Sequence, residues 1–422
     1  MGSHKKLGLL LTAVLLAVSA CSAQPVQDAD QENAAYIKSG SQDQQLDQDQ
    51  RLAQAQRLGA SYDYQAALDL LQGVPGSEAE RLRSELEQAK QEALVWQHPE
   101  KIPHLFVHSL IVDTERAFDG DQDAQGYADY MVTVREFKEI LKQLYQRDYV
   151  LVNPEYVANK GSGTMEYQKI LLPQGKKPLV LSQDDTNYYE YMEGDGFAKN
   201  LTLDAQGKVV NTYLDAAGRE HLGAYDMVPL VDEFVAEHPD FSYRGSKGII
   251  ALTGYNGVLG YRTSALIYPD SASREQDTQQ ARRVADAMKS NGWVFASHSW
   301  GHINYGQLSA GAVAADADKW DREVKPIVGG SQLLIYPFGA DISDVRPYGG
   351  QKYRDLSSRG FSSFFNVDAS VPAWQQLGQG YWRQARINVD GLRFAYAKSQ
   401  GEQILQPFFD LDQVIDPARP SS

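Results

Sequence analysis

From about residue 100 onward, short apolar runs alternate with amphipathic stretches. The runs Leu105–His108, Leu179–Ser182, Ile249–Thr253, Trp293–Ser297, Leu333–Tyr336, Ser362–Asn366 and Arg386–Val389 read as buried strands. Between them, apolar positions recur at helical spacing over 134–146, 226–238, 276–290 and 350–359. Such alternation predicts an α/β fold with a parallel sheet or barrel, whose chemistry sits at the carboxyl ends of the strands. The pattern breaks between the second and third strands. Leu201–Val209 and Asn211–His221 carry Asp204-Ala-Gln-Gly207 and Asp215-Ala-Ala-Gly218, the tight turns of a β-hairpin excursion. Residues 191–265 are therefore expected to form an insertion beside the main fold.

The first hundred residues are organised differently. Lys5 and Lys6 precede an apolar run from Leu7 to Val18, too short to span a bilayer as a mature helix and suited to a signal-peptide core. Residues 1–20 are read as that signal. The run ends in Val18-Ser19-Ala20-Cys21, which resembles a bacterial lipoprotein cleavage box with Cys21 as the lipid-bearing residue. An ordinary signal peptide with an incidental thiol is the plainer alternative. A lipid on Cys21 would place the protein at the outer face of the bacterial cell membrane. Residues 21–50, rich in Gln, Asp, Ser and Ala, bury too little to offset their ordering entropy and read as a flexible tether. Residues 51–97 return to helical spacing, broken at Gly73-Val74-Pro75-Gly76, with Ser77 and Glu80 placed to cap a second helix. This stretch resembles one tetratricopeptide-type helical hairpin, or else a helical prefix packed on the main domain. That domain is expected over 98–422.

Composition narrows the partners. With 55 acids against 40 bases the formal charge is −15, a poor match to nucleic acid or anionic lipid, which need dense Lys and Arg. A neutral or cationic substrate suits it better. The 24 Tyr and 6 Trp could stack on sugar rings or fill a core. Cys21 is the single cysteine, so no disulfide forms within the chain and the fold must stand on its core.

Three motifs carry chemistry, each at a predicted strand end. In Leu179-Val-Leu-Ser-Gln-Asp184-Asp185 a buried strand runs into two adjacent carboxylates. Acids there need compensating charge, which a metal would supply. On an extended backbone the two would point opposite ways, so that one ligates while the other faces a different partner; a solvated loop is the alternative. In His298-Ser-Trp-Gly-His302 two imidazoles four apart can meet one ion if the strand turns into a helical loop. Of the six other histidines only His104 and His108 lie near a predicted strand end. In Leu333-Leu-Ile-Tyr-Pro337-Phe338-Gly339 a strand meets a turn that frees backbone N–H groups toward a ligand.

Asp184-Asp185, His298-Ser-x-x-His302 and Pro337-x-Gly339, in that order, resemble the polysaccharide deacetylase family (carbohydrate esterase family 4, the NodB homology domain) over roughly residues 100–400. The resemblance implies a distorted (β/α) barrel. It also implies a metal-dependent hydrolase that removes N-acetyl, in some members O-acetyl, groups from a cell-wall or extracellular polysaccharide such as an N-acetylglucosamine-containing glycan. By the family pattern Asp185, His298 and His302 match the metal ligands and Asp184 the general base. Phe338 matches the residue whose backbone N–H helps bind the oxyanion. Zinc is the ion that nitrogen and oxygen donors favour.

The sequence also departs from the family. The Arg that accompanies the Pro-Gly turn in many members is replaced by Ile335-Tyr336, and Arg386 could supply it from another strand. No histidine follows His302 to match the family's late acid; His108 could serve in its place. Asp368 and Trp374 loosely resemble a groove motif at the wrong spacing. These gaps leave a second reading, a lipid-anchored carbohydrate-binding protein of the same fold with little or no turnover, against which the intact Asp184 argues.

Overall fold

The computed structural model describes residues 47–161 and 163–420. The expected signal peptide, Cys21 and the tether as far as residue 46 lie outside them. Among the described residues no helix is long and apolar enough to cross a membrane.

Seven parallel strands form a closed barrel: β1 (His104–Val107), β2 (Lys177–Gln183), β3 (Gly248–Leu252), β4 (Trp293–Ser297), β5 (Leu333–Ile335), β6 (Ser363–Val367) and β7 (Trp382–Asn388). Each pairs with the next in chain order, and β7 returns to β1, so sequence order and spatial order coincide around the ring. The β4–β5 seam is thin, joined at Ser297 and Leu334 alone, which makes this a distorted (β/α) barrel. The strands are apolar on both faces because both faces are covered. Outward residues such as Leu105, Leu179, Leu181, Ile250, Leu252 and Phe295 pack on the surrounding helices. Inward residues Val180, Ile249, Ala251, Ala296, Ile335, Phe365 and Trp382 fill the interior.

Among the described residues three α-helices precede the barrel: α1 (Gln48–Ala60), α2 (Tyr64–Leu70) and α3 (Ser77–Glu92). The expected two-helix hairpin is thus a three-helix prefix that begins inside the expected tether, and Ser77 is the first residue of α3 rather than its cap, a position taken by Gly76. Leu52, Ala55, Ala67, Leu71, Leu82 and Leu86 share one apolar cluster with the barrel interior. Tyr62 Oη donates to the Asp240 carbonyl (2.6 Å) and Arg244 N–H to the Ser61 carbonyl (2.7 Å), so the prefix closes the amino-terminal mouth of the barrel.

Around and between the strands lie α4 (Ala124–Tyr130), α5 (Val134–Gln146), α6 (Met227–Glu237), α7 (Arg274–Ser290), α8 (Ala310–Glu323), α9 (Gln351–Ser358) and α10 (Gly391–Gln400). Helix α5 shows why these sequences are helical. Thr133 and Glu136 form a reciprocal capping box, and Phe137, Ile140, Leu141 and Leu144 make one buried stripe.

The insertion expected over 191–265 is smaller than that range. Helix α6 and strand β3 fall inside it and belong to the barrel series. What leaves the series is a three-stranded antiparallel meander, Ala198–Leu203, Val209–Leu214 and Glu220–Gly223, whose two hairpin turns are the expected Asp204–Gly207 and Asp215–Gly218. The return of helical spacing at Met227 marks its end.

Asp226 joins this meander to β2. Its Oδ1 accepts from Leu110 N (3.1 Å), Met227 N (2.8 Å) and Gln183 Nε2 (2.6 Å), and its Oδ2 from Tyr188 Oη (2.7 Å). Tyr188 Oη in turn accepts from Asn211 Nδ2 (3.0 Å). Burial pushes the Asp226 carboxyl up to about 6. An acid raised on folding binds its proton more tightly in the folded state, so its ionisation costs nothing below the unfolded value near 4 and the full amount above about 6. Asp226→Asn keeps a good N-cap and removes that charge. Its stability relative to wild type should therefore rise by on the order of 2–3 kcal/mol between pH 4 and pH 7. Urea unfolding of both proteins at the two pH values measures this, and a gap that does not change with pH would refute it.

Candidate active site

The site is built on inward positions at the carboxyl ends of β2, β4 and β7. On β2, Ser182 points in, Gln183 out and Asp184 in, and Asp184 N–H donates to the Val107 carbonyl (2.9 Å). At Asp185 the backbone turns into the left-handed region (φ 58°). The extended geometry expected for the pair does not hold, and both carboxylates face the same space. Arg386, at an inward position of β7, grips Asp184 with both terminal nitrogens: Nη1 to Oδ1 at 2.7 Å and Nη2 to Oδ2 at 2.9 Å. Its Nε donates to the Asn366 carbonyl (3.3 Å) and its plane covers the Phe106 ring at 4.1 Å. Burial alone would raise the Asp184 carboxyl. The Arg386 guanidinium more than offsets this and holds it well below the usual carboxylate range.

His298 extends β4 inward. Its Nδ1 lies 2.9 Å from the Ile335 carbonyl. A carbonyl can only accept, so Nδ1 carries a proton, and in the neutral ring the lone pair is on Nε2. That Nε2 faces Asp185 Oδ1 at 4.0 Å and Asp184 Oδ2 at 3.9 Å. The loop to His302 is not helical. Ser299 and His302 both adopt positive φ, and α8 clamps the turn, with Trp300 N–H and Gly301 N–H donating to the Asp316 carboxylate (2.7 and 2.8 Å) and Trp300 Nε1 to Glu323 (2.7 Å). This brings His302 Nε2 to 3.7 Å from Asp185 Oδ2. Burial lowers the His302 pKa, which favours the neutral imidazole a metal requires.

Asp185, His298 and His302 each turn a donor atom to one space, all within 4.8 Å of one another. Donors about 2.0–2.2 Å from a tetrahedral zinc stand about 3.4 Å apart, so small side-chain adjustments would suffice. Asp185 Oδ1 is held by Tyr189 Oη (2.5 Å), itself bonded to Thr253 Oγ1 (2.9 Å). One carboxylate and two imidazoles, each fixed from behind or by burial and open on one side, fit a catalytic zinc site. A second acidic group, Asp121, Asp123 and Asp195, is engaged in local turns and with Tyr127 Oη.

The Pro337 turn follows β5. Phe338 has φ 59° and Gly339 φ 64°. A Cβ on Gly339 would meet Val367 Cβ at 2.6 Å, so glycine is required for the turn to lie on the end of β6. The Phe338 ring packs against His302 (centroids 4.5 Å apart) yet stays 68% exposed. His108, at the end of β1, gives its Nδ1 proton to the Tyr130 carbonyl (3.0 Å) and lines the same space. A cleft of about 720 Å³ thus gathers His108, Asp184, Asp185, His298, His302, Phe338 and Arg386. Asp368 and Trp374 do not line it; Asp368 closes a local turn with Ser370 and Trp374 covers Arg383.

Sequence reasoning missed the supporting residues. Tyr189 and Tyr191 stand just after the Asp pair in Asn187-Tyr-Tyr-Glu-Tyr191, a signal that was available. Asp316, Ser182 and Gln384 carry no local signature. The cleft walls add Tyr127 and Tyr130 from α4, and Asn388, Asp390 and Arg393.

Fold and site together define an α/β-barrel protein with an Asp-His-His donor group beside an arginine-held carboxylate. No protein-family model and no curated protein matches the sequence. Among solved structures the chain is similar to the deacetylase PplD of Streptococcus pyogenes in complex with acetate, at 14% identity over 69% of this chain and 92% of that one, TM-score 0.38. It is similar to a de-N-acetylase from Aggregatibacter actinomycetemcomitans at 13% identity over 73% and 99%, TM-score 0.39. A chitin deacetylase from the fungal pathogen Colletotrichum lindemuthianum aligns at 10% identity over 44% and 77%, TM-score 0.23. All three superpose loosely, and the functional reading rests on this chain's own residues.

Proposed function

We propose that the chain is a metal-dependent deacetylase that hydrolyses N-acetyl groups on a cell-wall or extracellular polysaccharide, held at the outer face of a bacterial membrane by lipid on Cys21. The observation that carries the catalytic reading is the ionised, Arg386-gripped Asp184 standing 3.9 Å from His298 Nε2 in the same cleft as Asp185 and His302. A divalent ion held by Asp185, His298 and His302, zinc by its donor set, would supply Lewis-acid polarisation of the acetyl carbonyl. Asp184 accepts the proton of the attacking water as its oxygen bonds to the acetyl carbon. The C–N bond then breaks, the amine nitrogen takes up a proton and acetate leaves. His108 stands in the cleft where it can hand over that proton. Arg386 does not touch the substrate; it aims Asp184 and keeps it ionised.

The cleft wall suits a sugar chain. Tyr191 is 54% exposed. It stacks on Tyr189 (5.7 Å, 14°), which stacks on Tyr255 (5.3 Å, 16°). A rigid aromatic surface beside the reacting centre can seat a neighbouring pyranose ring. Tyr191→Ala should raise KM for a long acetylated glycan about tenfold, equivalent to about 1.4 kcal/mol, and leave KM for a single acetylated sugar unchanged.

Acetate release by zinc-loaded protein from a panel of acetylated glycans tests the reading. Tight glycan binding with no acetate released would replace it with a binding role. Metabolic lipid labelling of wild type against Cys21→Ala tests the anchor.

A further inference from the structure

Beneath Asp184 the barrel interior holds a polar layer that the chemistry above does not use. His104, Ser182 and Gln384 occupy inward positions on the adjacent strands β1, β2 and β7, and all three are fully buried. Elsewhere the interior is filled by Val180, Ile249, Ala251, Ala296, Ile335 and Phe365. Polar groups in such a place cost stability unless every one is bonded.

The direction of each bond follows from one fixed point. The Ile102 carbonyl can only accept, so Gln384 Nε2 donates to it (2.9 Å) and Gln384 presents Oε1 to His104. An oxygen facing Nδ1 at 3.0 Å makes Nδ1 the donor. His104 Nε2 then carries the lone pair, and Ser182 Oγ–H donates to it (2.8 Å). With its proton turned down, Ser182 offers only lone pairs upward, where Arg386 Nη1 stands at 3.3 Å. The same Nη1 grips Asp184 Oδ1. Burial, with the Arg386 charge adding to it, holds the His104 pKa well below the ordinary histidine range, so the ring stays neutral and the chain of bonds keeps one sense.

We propose that His104 is a positioning residue for hydrolysis: through Ser182 it sets the rotation of the Arg386 guanidinium, and through Arg386 the aim of the Asp184 carboxylate. This rests on Asp184 acting as the base. A packing role alone would be met by any side chain of similar size, whereas the relay needs an acceptor facing Ser182.

Two substitutions separate these roles. His104→Gln can present an amide oxygen to Ser182, and His104→Leu fills space without an acceptor. Expected on an acetylated glycan are kcat within a few-fold of wild type for His104→Gln, and a fall of roughly 10- to 100-fold for His104→Leu and Ser182→Ala, with KM and zinc stoichiometry unchanged. Equal kcat for Ser182→Ala and wild type would overturn the proposal even should His104→Leu fail to fold. A readout independent of turnover is the ¹⁵N spectrum of histidine-labelled, metal-free protein. His104 should show the Nδ1–H tautomer, with an Nε2 resonance that moves in Ser182→Ala. The Nε2–H tautomer there would overturn the relay. Absence of acetate release by wild type would instead count against the deacetylase reading.

Discussion

Asp184→Asn should retain a full complement of zinc and release acetate 10²- to 10⁴-fold more slowly than wild type, the range a positioned base contributes. The substitution keeps the shape of the side chain and removes its basicity. It also leaves Arg386, fully buried, facing an amide instead of a carboxylate. Breaking one side of a buried ion pair costs about 3–5 kcal/mol, so a lower Tm is expected beside the lost rate. Asp184→Asn combined with Arg386→Met removes both charges. It should recover much of the stability and none of the activity. A double variant as active as wild type would exclude Asp184 as the base.

Loss of the metal should be as severe by a different route. Chelated protein should fall below 1% of its rate, roughly the hundredfold or more that Lewis-acid polarisation contributes, and recover when zinc is returned. His298→Ala should stay inactive at the same zinc concentration, because it removes the Nε2 that the Ile335 carbonyl aims at Asp185. The two experiments are complementary: zinc stoichiometry separates Asp184→Asn, which keeps metal, from His298→Ala, which does not. Stability should follow, since zinc at a hundredfold excess over its Kd stabilises the folded state by about 2.7 kcal/mol. A chelated protein that keeps its rate would remove the metal from the mechanism.

What could be read from the sequence was whatever rests on local periodicity. The apolar runs are the barrel strands, displaced by a residue or two, because a strand buried on both faces must be apolar throughout. Strand β7 begins at Trp382, earlier than the run at Arg386 suggested, because buried Arg383 and Gln384 disguise it. Helix α8 was missed although it holds the His302 loop; its small and acidic residues give a weak apolar stripe. The motifs drew attention to Asp184, Asp185, His298 and His302, and the structure gathers them in one cleft. The conformations that gather them were not legible. Positive φ at Asp185, Ser299 and His302 falls on residues that tolerate the left-handed region but do not demand it as glycine would. The partnership of Arg386 with Asp184 spans 202 residues and was inferred only from an arginine missing elsewhere.

Because the seven strands stand around the ring in the order in which they occur in the chain, the site is completed in a definite sequence. A polypeptide lengthening from its amino end possesses Asp185, His298 and His302 once β4 and its loop exist, but Arg386 arrives only with β7, the strand that meets β1 and shuts the ring. A chain cut short before Trp382 would therefore own all three candidate metal donors while its Asp184 lacked the buried cation that keeps it charged. Ring closure and the arming of the proposed base are one event.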